Sequence, residues 1–251
     1  MVYWDYNYIK NPNDNKKEEL MKQYLNSKSF ALIYRLAAFI FIAVGILDTA
    51  GLFSGDVNWH IFLTYTVQSN VLVLLFFAVL IVKTMRLGNR VGKPYPFAFY
   101  PIVSFVFSID ILITMLIFWT ILAPMTWAGG YLLSFSNFAV HLISPLLMIF
   151  DRIMFYQPGK IRKYALLTIT IFPYIHVAQS FIIGLNRLVY FAPMRIESYY
   201  IYPFLDYDTH GNMVFVYILG LSLVFLGIGY AWRYVELRII AKKDSISTDR
   251  K

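Results

Sequence analysis

The sequence has no cysteine, and charged residues make up only 14% of its 251 positions. Without cysteine the chain forms no disulfide and offers no thiol for catalysis or metal binding. The charged fraction is too small to cover a surface that faces water, since soluble domains contain about 25% charged residues. Hydrophobic residues, by contrast, reach 59% and aromatic residues 19%, so the lipid bilayer is predicted to be the main solvent.

Signals of nucleotide and nucleic-acid chemistry are missing as well. The chain contains no P-loop, GxSxG, GxGxxG or DFG motif, which argues against nucleotide-dependent chemistry. Its net charge of +8 is not arranged as a basic stripe interleaved with stacking aromatics, so we expect no nucleic-acid partner.

Six apolar segments are long enough to cross the bilayer, whose core of about 30 Å requires about 20 helical residues. They are 30–53, 58–82, 97–122, 132–156, 163–185 and 212–240. A barrel strand would need only about 9–11 alternating residues. The sequence therefore predicts an all-α integral membrane protein. Its transmembrane domain, 30–240, is a six-helix bundle, and 1–29 and 241–251 are polar tails without a signal peptide.

The basic residues of the connectors alternate from one side to the other. The connectors 83–96 and 151–163 are rich in Lys and Arg, whereas 54–57 and 123–131 have none. Because cytoplasmic loops accumulate Lys and Arg, we expect both termini in the cytoplasm. The chain is then a multi-pass protein, expected in the cell membrane.

With this topology, several polar residues are predicted to lie at one depth. Thr66, His141, His176, Asp110 and Asp48 all come out roughly 8–15 Å below the outer boundary at a rise of about 1.5 Å per residue. Polar groups inside a span are costly unless they have partners, so they commonly mark functional sites. We expect such a site in the non-cytoplasmic half of the bundle.

The second predicted helix contains the run HIFLTYTVQSN. Thr66, Ser69 and Asn70 share one face through their i, i+3 and i+4 spacing, and Thr64 and Gln68 line an adjacent face. This face is predicted to point into the bundle. It either forms a site or hydrogen-bonds the helices together.

The fourth predicted helix contains SFSNFAVHLISPLLMIFD. Asn137 and His141 share a face, and histidine is the side chain best suited to accept a proton near neutral pH. Pro145 is expected to kink the helix. At the other end of the helix, Asp151 and Arg152 are expected to pair at the membrane surface.

The four histidines lie in or near the predicted outer half: His60, His141, His176 and His210. This placement permits a metal site, but no HExxH or other closely spaced ligand pattern occurs. We expect neither a metal nor a cofactor.

Three runs, YTVQSN, NFAVHLISPLLMIFD and YPFLDYD, occur in this order in the six-helix setting. Together they resemble the androgen-induced and androgen-dependent membrane hydrolases and their bacterial six-helix relatives. The resemblance implies an intramembrane carboxylic ester hydrolase acting on fatty acid esters of hydroxy fatty acids. The histidine of that family matches His141, and its threonine nucleophile matches Thr66, with Thr64 as the alternative. The chain differs from the animal members at Phe138 and Ser69, where they carry a histidine and an acid.

A threonine and a histidine can act together as a catalytic pair, because a threonine hydroxyl becomes nucleophilic when a nearby histidine removes its proton.

The remaining candidate site residues fall into three sets. The oxyanion or supporting candidates are Ser69, Asn70 and Asn137, the residues that could orient the imidazole are Asp48, Asp110 and His176, and the candidate ligands of a substrate carboxylate are Arg187 and Arg195.

Two other functions fit the same residues. Intramembrane His and Asp side chains also form relays, so a carrier or channel for a proton, ion or small solute is one alternative. A non-catalytic lipid-binding protein is the other. The lipid ester and the surrounding lipids are the expected partners.

Overall fold

The computed structural model describes residues 27–87, 96–126, 134–159, 161, 163, 165–191 and 198–248. Within these residues, six helices are long and apolar enough to cross a membrane. Numbered α1 to α6 in chain order, they are Lys28–Thr49, Tyr65–Arg86, Pro101–Leu122, Phe135–Phe155, Ala165–Leu185 and Met213–Ile239. The prediction of a six-helix membrane bundle is confirmed. We call the end of the bundle where residues 27 and 239 lie the tail end, and the opposite end the far end.

The largest departures from the predicted bounds are at the start of α2 and at the end of the last helix. The segment predicted as one helix from 58 has a 3₁₀ turn at Trp59–Leu63, and α2 begins only at Tyr65. Thr64 separates the two, because its side chain caps α2 by accepting the N–H of Val67. At the other extreme, the helix that contains α6 continues to Thr248, into the predicted tail.

The buried core has two main parts. One cluster includes Ile42 of α1, Phe77 of α2 and Met148 of α4. A second cluster joins α3, α5 and α6 and includes Ile109 and Phe225. Ile111 of α3 also belongs to the first cluster. The helix α3 therefore lies between the pair α1 and α2 and the pair α5 and α6.

Prolines interrupt the regular hydrogen bonding of α3 and α4. The turns Phe118–Leu122 and Ala139–Ile143 are π-helical, and they precede Pro124 and Pro145 respectively. Proline has no N–H to donate to the fourth residue before it. The backbone instead forms wider i to i−5 bonds, from Ala123 to Phe118 and from Ser144 to Ala139.

The helix α5 is broken after its first turn. Its first turn is Ala165–Thr168, and the helix resumes at Ile171–Leu185, with Pro173 in the first turn of the second part. Gly229 of α6 allows close packing beside this break, since a Cβ there would lie 2.7 Å from Cδ1 of Ile169.

Two ion pairs connect the helices at the tail end. Arg35 of α1 donates Nε–H to Asp151 of α4 at 2.8 Å, and both side chains are fully buried. Arg152 donates to Glu236 of the last helix at 2.9 Å. The expectation that Asp151 and Arg152 pair with each other at the surface is wrong. Both are buried, and each pairs with an opposite charge on another helix, because a buried charge needs a partner.

Candidate functional site

Thr66 lies in the first turn of α2 and lines a cavity near the far end of the bundle. Its rival Thr64 is engaged at the helix start, where its hydroxyl donates to the carbonyl oxygen of Ile61 at 2.7 Å and accepts from the N–H of Val67 at 3.4 Å. Thr64 does not line the cavity. Of the two threonines, Thr66 is therefore the one positioned to contact a ligand there.

The cavity and its opening together contain about 800 Å³ of space that no atom occupies. Its walls come from α2, α3, α5, α6 and the connector before α6, and most of its lining is aliphatic or aromatic. Its polar side chains are Tyr65, Thr66, Thr114, Thr170, Tyr174, His176, Tyr202 and Ser222. Within the described chain, no Lys, Arg, Asp or Glu lines it.

Tyr202, in the connector before α6, reaches the start of α2. Its hydroxyl oxygen accepts the backbone N–H of Tyr65 at 3.1 Å. Burial raises the pKa of Tyr202 above its ordinary value, and interactions with the N–H of Tyr65 and with the hydroxyl and N–H of Thr66 oppose this rise. The hydroxyls of Thr66 and Tyr202 are thus neighbours in the cavity wall. The raised pKa keeps the phenol protonated, so it remains a hydrogen-bond donor.

His176 of α5 lines the same cavity and is oriented by a glutamine of α2. Its Nδ1 lies 3.0 Å from Oε1 of Gln68. The amide nitrogen of Gln68 donates to the carbonyl oxygen of Phe62 at 3.1 Å and to Oε1 of Gln179 at 2.8 Å. A histidine held by a hydrogen bond at one ring nitrogen has a defined tautomer and orientation.

His141 lies in the π-helical turn of α4 and is buried. Its imidazole stacks on the ring of Phe118, with 3.6 Å between the centroids and 13° between the planes. Phe118 lines the cavity, whereas His141 does not. Nδ1 of His141 is buried and accepts or donates no hydrogen bond within the described residues.

Asn70 connects the turn of Thr66 with the turn of His141. Its Nδ2 donates to the carbonyl oxygen of Thr66 at 2.8 Å and to that of Val140 at 3.0 Å. Both amide hydrogens of Asn70 are therefore engaged, and neither is free for an oxyanion. The described residues contain no hydrogen bond between the side chains of Thr66 and His141.

Ser69 and Asn137 are both buried, and each forms a hydrogen bond within its own helix. The hydroxyl of Ser69 donates to the carbonyl oxygen of Thr66 at 3.0 Å and lies 3.2 Å from the hydroxyl of Thr114. Asn137 is fully buried in the first turn of α4, where its N–H donates to Ser134 at 3.3 Å. Ser69 thus supports the turn that presents Thr66.

Neither predicted acidic residue forms a hydrogen bond with the imidazole of His141 among the described residues. Asp48 is half-buried in the last turn of α1. Asp110 is buried in α3, and neither carboxylate oxygen has a hydrogen-bond partner in the part of the chain that the structure describes. No group of three His, Asp or Glu side chains that would suit a metal ion occurs among the described residues.

Arg187, one of the two predicted carboxylate ligands, does not line the cavity. The side chain of Arg187 is 66% exposed, lies 3.9 Å from Asp208 and covers the ring of Tyr199 at 5.3 Å. Arg195 lies outside the described residues. Arg187 is thus a surface residue of the far end.

Sequence reasoning missed the aromatic members of the site. Tyr65 and Tyr202 belong to the runs YTVQSN and YPFLDYD, so their position in those runs was the available signal. Nothing in the sequence indicated that Phe118 would cover His141.

Comparison of the chain with models of protein families, with curated proteins and with solved structures finds no match. The family resemblance therefore stays a prediction.

Proposed function

We propose that this protein is an intramembrane hydrolase of lipid esters, with Thr66 as the nucleophile and His141 as the base. The observation that supports the proposal is the position of Thr66. It is a hydroxyl residue in the first turn of a helix, and it lines an apolar cavity between transmembrane helices. Such a cavity suits an acyl chain, and the nearby helix terminus favours negative charge.

The reaction would proceed in two steps. The Thr66 oxygen attacks the ester carbonyl carbon while His141 takes the hydroxyl proton, and His141 then returns the proton to the departing alcohol. Water next attacks the acyl-threonine and gives its proton to His141, which returns it to the Thr66 oxygen as the fatty acid leaves. Because Phe118 covers His141 and lines the cavity, its side chain has to turn aside before His141 reaches Thr66.

The developing oxyanion needs donors that are already in place. Asn70 has no amide hydrogen free, so we assign this role to the hydroxyl of Tyr202. Its oxygen already accepts the N–H of Tyr65, and we assign its own proton to the oxyanion of the substrate. The positive end of the α2 dipole lies on the same side.

The experiment compares Thr66→Ala and His141→Ala with unaltered protein, purified and reconstituted in lipid. We expect hydrolysis of hydroxy-fatty-acid esters and related amphiphilic esters in the unaltered protein, and loss of hydrolysis in both variants without unfolding. A fluorophosphonate should label Thr66. Retained turnover in both variants would refute the assignment, and an unlabelled protein that binds lipid without turnover would indicate a non-catalytic lipid-binding protein.

We also propose that both tails are cytoplasmic and that the site lies in the outer half of the cell membrane. The natural absence of cysteine makes this simple to test. Ser54→Cys at the far end and Lys163→Cys at the tail end each provide one thiol. A maleimide that does not cross the membrane should label only the first from outside intact cells, and the reverse result would invert the topology.

Asp110 favours a second candidate function, a proton or solute carrier. Its carboxylate oxygens are buried and have no hydrogen-bond partner among the described residues, and such groups within spans commonly belong to transport paths. Solute or proton flux in proteoliposomes that Asp110→Asn abolishes, without esterase labelling, would favour this function over hydrolysis.

A further inference from the structure

Nε2, the second ring nitrogen of His176, has no hydrogen-bond partner among the described residues. We infer that the cavity binds a neutral amphiphile whose head group donates a hydrogen bond to Nε2 of His176, that is, a hydroxyl-headed lipid. As a statement about the substrate this rests on the proposed hydrolase. The binding that it predicts, however, is measured without turnover.

The tautomer of His176 follows from its neighbours. The carbonyl oxygen of Phe62 only accepts hydrogen bonds, so the atom of the Gln68 amide that faces it at 3.1 Å is the nitrogen. Oε1 of Gln68 then faces His176 at 3.0 Å and accepts, which places the imidazole proton on Nδ1. In the neutral ring, Nε2 therefore carries a lone pair and is an acceptor.

This acceptor is unsatisfied within the described chain. His176 is only 3% exposed, and Nε2 has no hydrogen-bond partner there. A buried polar atom without a partner destabilises the protein unless a ligand satisfies it. Since His176 lines the cavity, an O–H or N–H group of a ligand would satisfy it.

The surroundings of His176 favour a hydroxyl. The rings of Tyr65 and Tyr202 pack against it, with centroids 5.2 and 5.7 Å away. The hydroxyl of Tyr65 is also buried without a partner among the described residues. A ligand hydroxyl can donate to Nε2 and accept from a phenol at once, whereas an ether or ester oxygen can only accept.

The absence of charge in the described lining favours a hydroxyl over a carboxylate as the head group of the ligand. A carboxylate in an apolar cavity needs a cation beside it. The described lining has none, and Arg187 is exposed at the surface beside Asp208. The head group in the cavity is therefore neutral. Among the proposed substrates this favours esters that carry a hydroxyl over fatty acid esters of hydroxy fatty acids, which carry a free carboxylate. Apolar residues such as Phe204, Leu221 and Phe225 line the rest of the cavity and suit an alkyl chain.

The test uses the purified full chain in phosphatidylcholine nanodiscs and three ligands of one chain length. Dodecan-1-ol donates an O–H, dodecane-1-thiol has nearly the same shape but a weak donor, and dodecanoate is charged. We expect the cavity to bind the alcohol about tenfold more tightly than the thiol, as one hydrogen bond of about 1.4 kcal/mol implies. Dodecanoate at pH 8 should bind more weakly than the alcohol. Equal binding of alcohol and thiol, or tightest binding of dodecanoate, would overturn the inference.

Two variants test whether the preference for the alcohol depends on His176. His176→Phe should remove the preference for the alcohol, whereas the matched variant His60→Phe, at an exposed position of the far end, should keep it. If His176→Phe does not fold, the ligand series on the unaltered protein still decides. Thr66→Ala should abolish hydrolysis but keep the alcohol preference. Failure of the proposed hydrolase and failure of this inference therefore give different results.

Discussion

Trp119 of α3 donates its indole N–H to the carbonyl oxygen of His141 in α4 at 3.1 Å. In a regular α-helix that carbonyl would accept from residue 145, but the residue there is proline and has no N–H. The indole thus satisfies a carbonyl beside which the helix has widened to a π-turn. Such turns occur frequently at functional sites, and here the turn holds the predicted base.

This bond predicts a coupling between Trp119 and Pro145. Trp119→Phe should lower the free energy of unfolding by about 1–3 kcal/mol, because the carbonyl of His141 loses its donor. In a Pro145→Ala background the loss should be smaller, since a backbone N–H is then available. Chemical unfolding of the two single variants and the double variant measures the coupling. Equal losses in both backgrounds would contradict this account.

The buried pair of Arg35 and Asp151 predicts an asymmetric response. Arg35→Met should cost about 3–5 kcal/mol, because it leaves a buried carboxylate unpaired, and adding Asp151→Leu should restore part of the loss. Arg187→Met is the control. Its contact with Asp208 is exposed and 3.9 Å long, so its effect should stay within about 0.5 kcal/mol. Thermal unfolding in lipid would show the difference, and a double variant as unstable as Arg35→Met alone would argue against the pair.

The ring of Tyr200 lies directly against Gly184 of α5. A Cβ at Gly184 would lie 2.3 Å from that ring, whereas a Cβ at Gly220 of α6 would meet nothing within 4 Å. Gly184→Ala should therefore destabilise the protein by about 1–3 kcal/mol through overpacking. Gly220→Ala should be neutral or stabilise by up to about 1 kcal/mol. Melting temperatures of the matched pair test this, and an unchanged Gly184→Ala protein would show that Tyr200 moves freely.

Thr64 and Thr66 should separate stability from activity. Thr64→Ala removes the cap of α2 and should cost about 1 kcal/mol, with Thr64→Ser retaining most of the stability. Neither change should prevent fluorophosphonate labelling at Thr66. Loss of labelling in well-folded Thr64→Ala, with retention in Thr66→Ala, would move the nucleophile to Thr64.

Tyr202 should act as a protonated donor. Tyr202→Phe should lower the rate of hydrolysis by about 100-fold, as loss of an oxyanion donor does. The protonated form is present below the folded pKa and is lost as pH rises through it. Since burial raises the pKa of Tyr202, its donor form should persist beyond the ordinary value of about 10. The pH profile of hydrolysis tests this, and an alkaline loss well below pH 10 that Tyr202→Phe removes would contradict it.

The six helices follow from the sequence alone, because an apolar run of about 20 residues has no other stable form across a bilayer. Residue counts along each predicted span also placed Thr66 and His176 at a similar depth, and both line the cavity. The helix bounds predicted from hydropathy were less accurate, because single side chains decide where a helix begins. Thr64 begins α2 later than hydropathy predicts, since a cap depends on a single side chain and not on average composition.

The contacts between helices were decided only by the tertiary structure. Sequence spacing shows which residues share a face, but not how far each helix is rotated toward its neighbours. Phe118 came to cover His141, and Gln68 came to orient His176, through contacts between different helices. Asp151 and Arg152 are adjacent in the chain, yet their partners lie on α1 and the last helix. The sequence by itself determined the six apolar helices, because each depends on its own segment's composition. Packing decided which side chains meet, because that depends on segments distant in the chain.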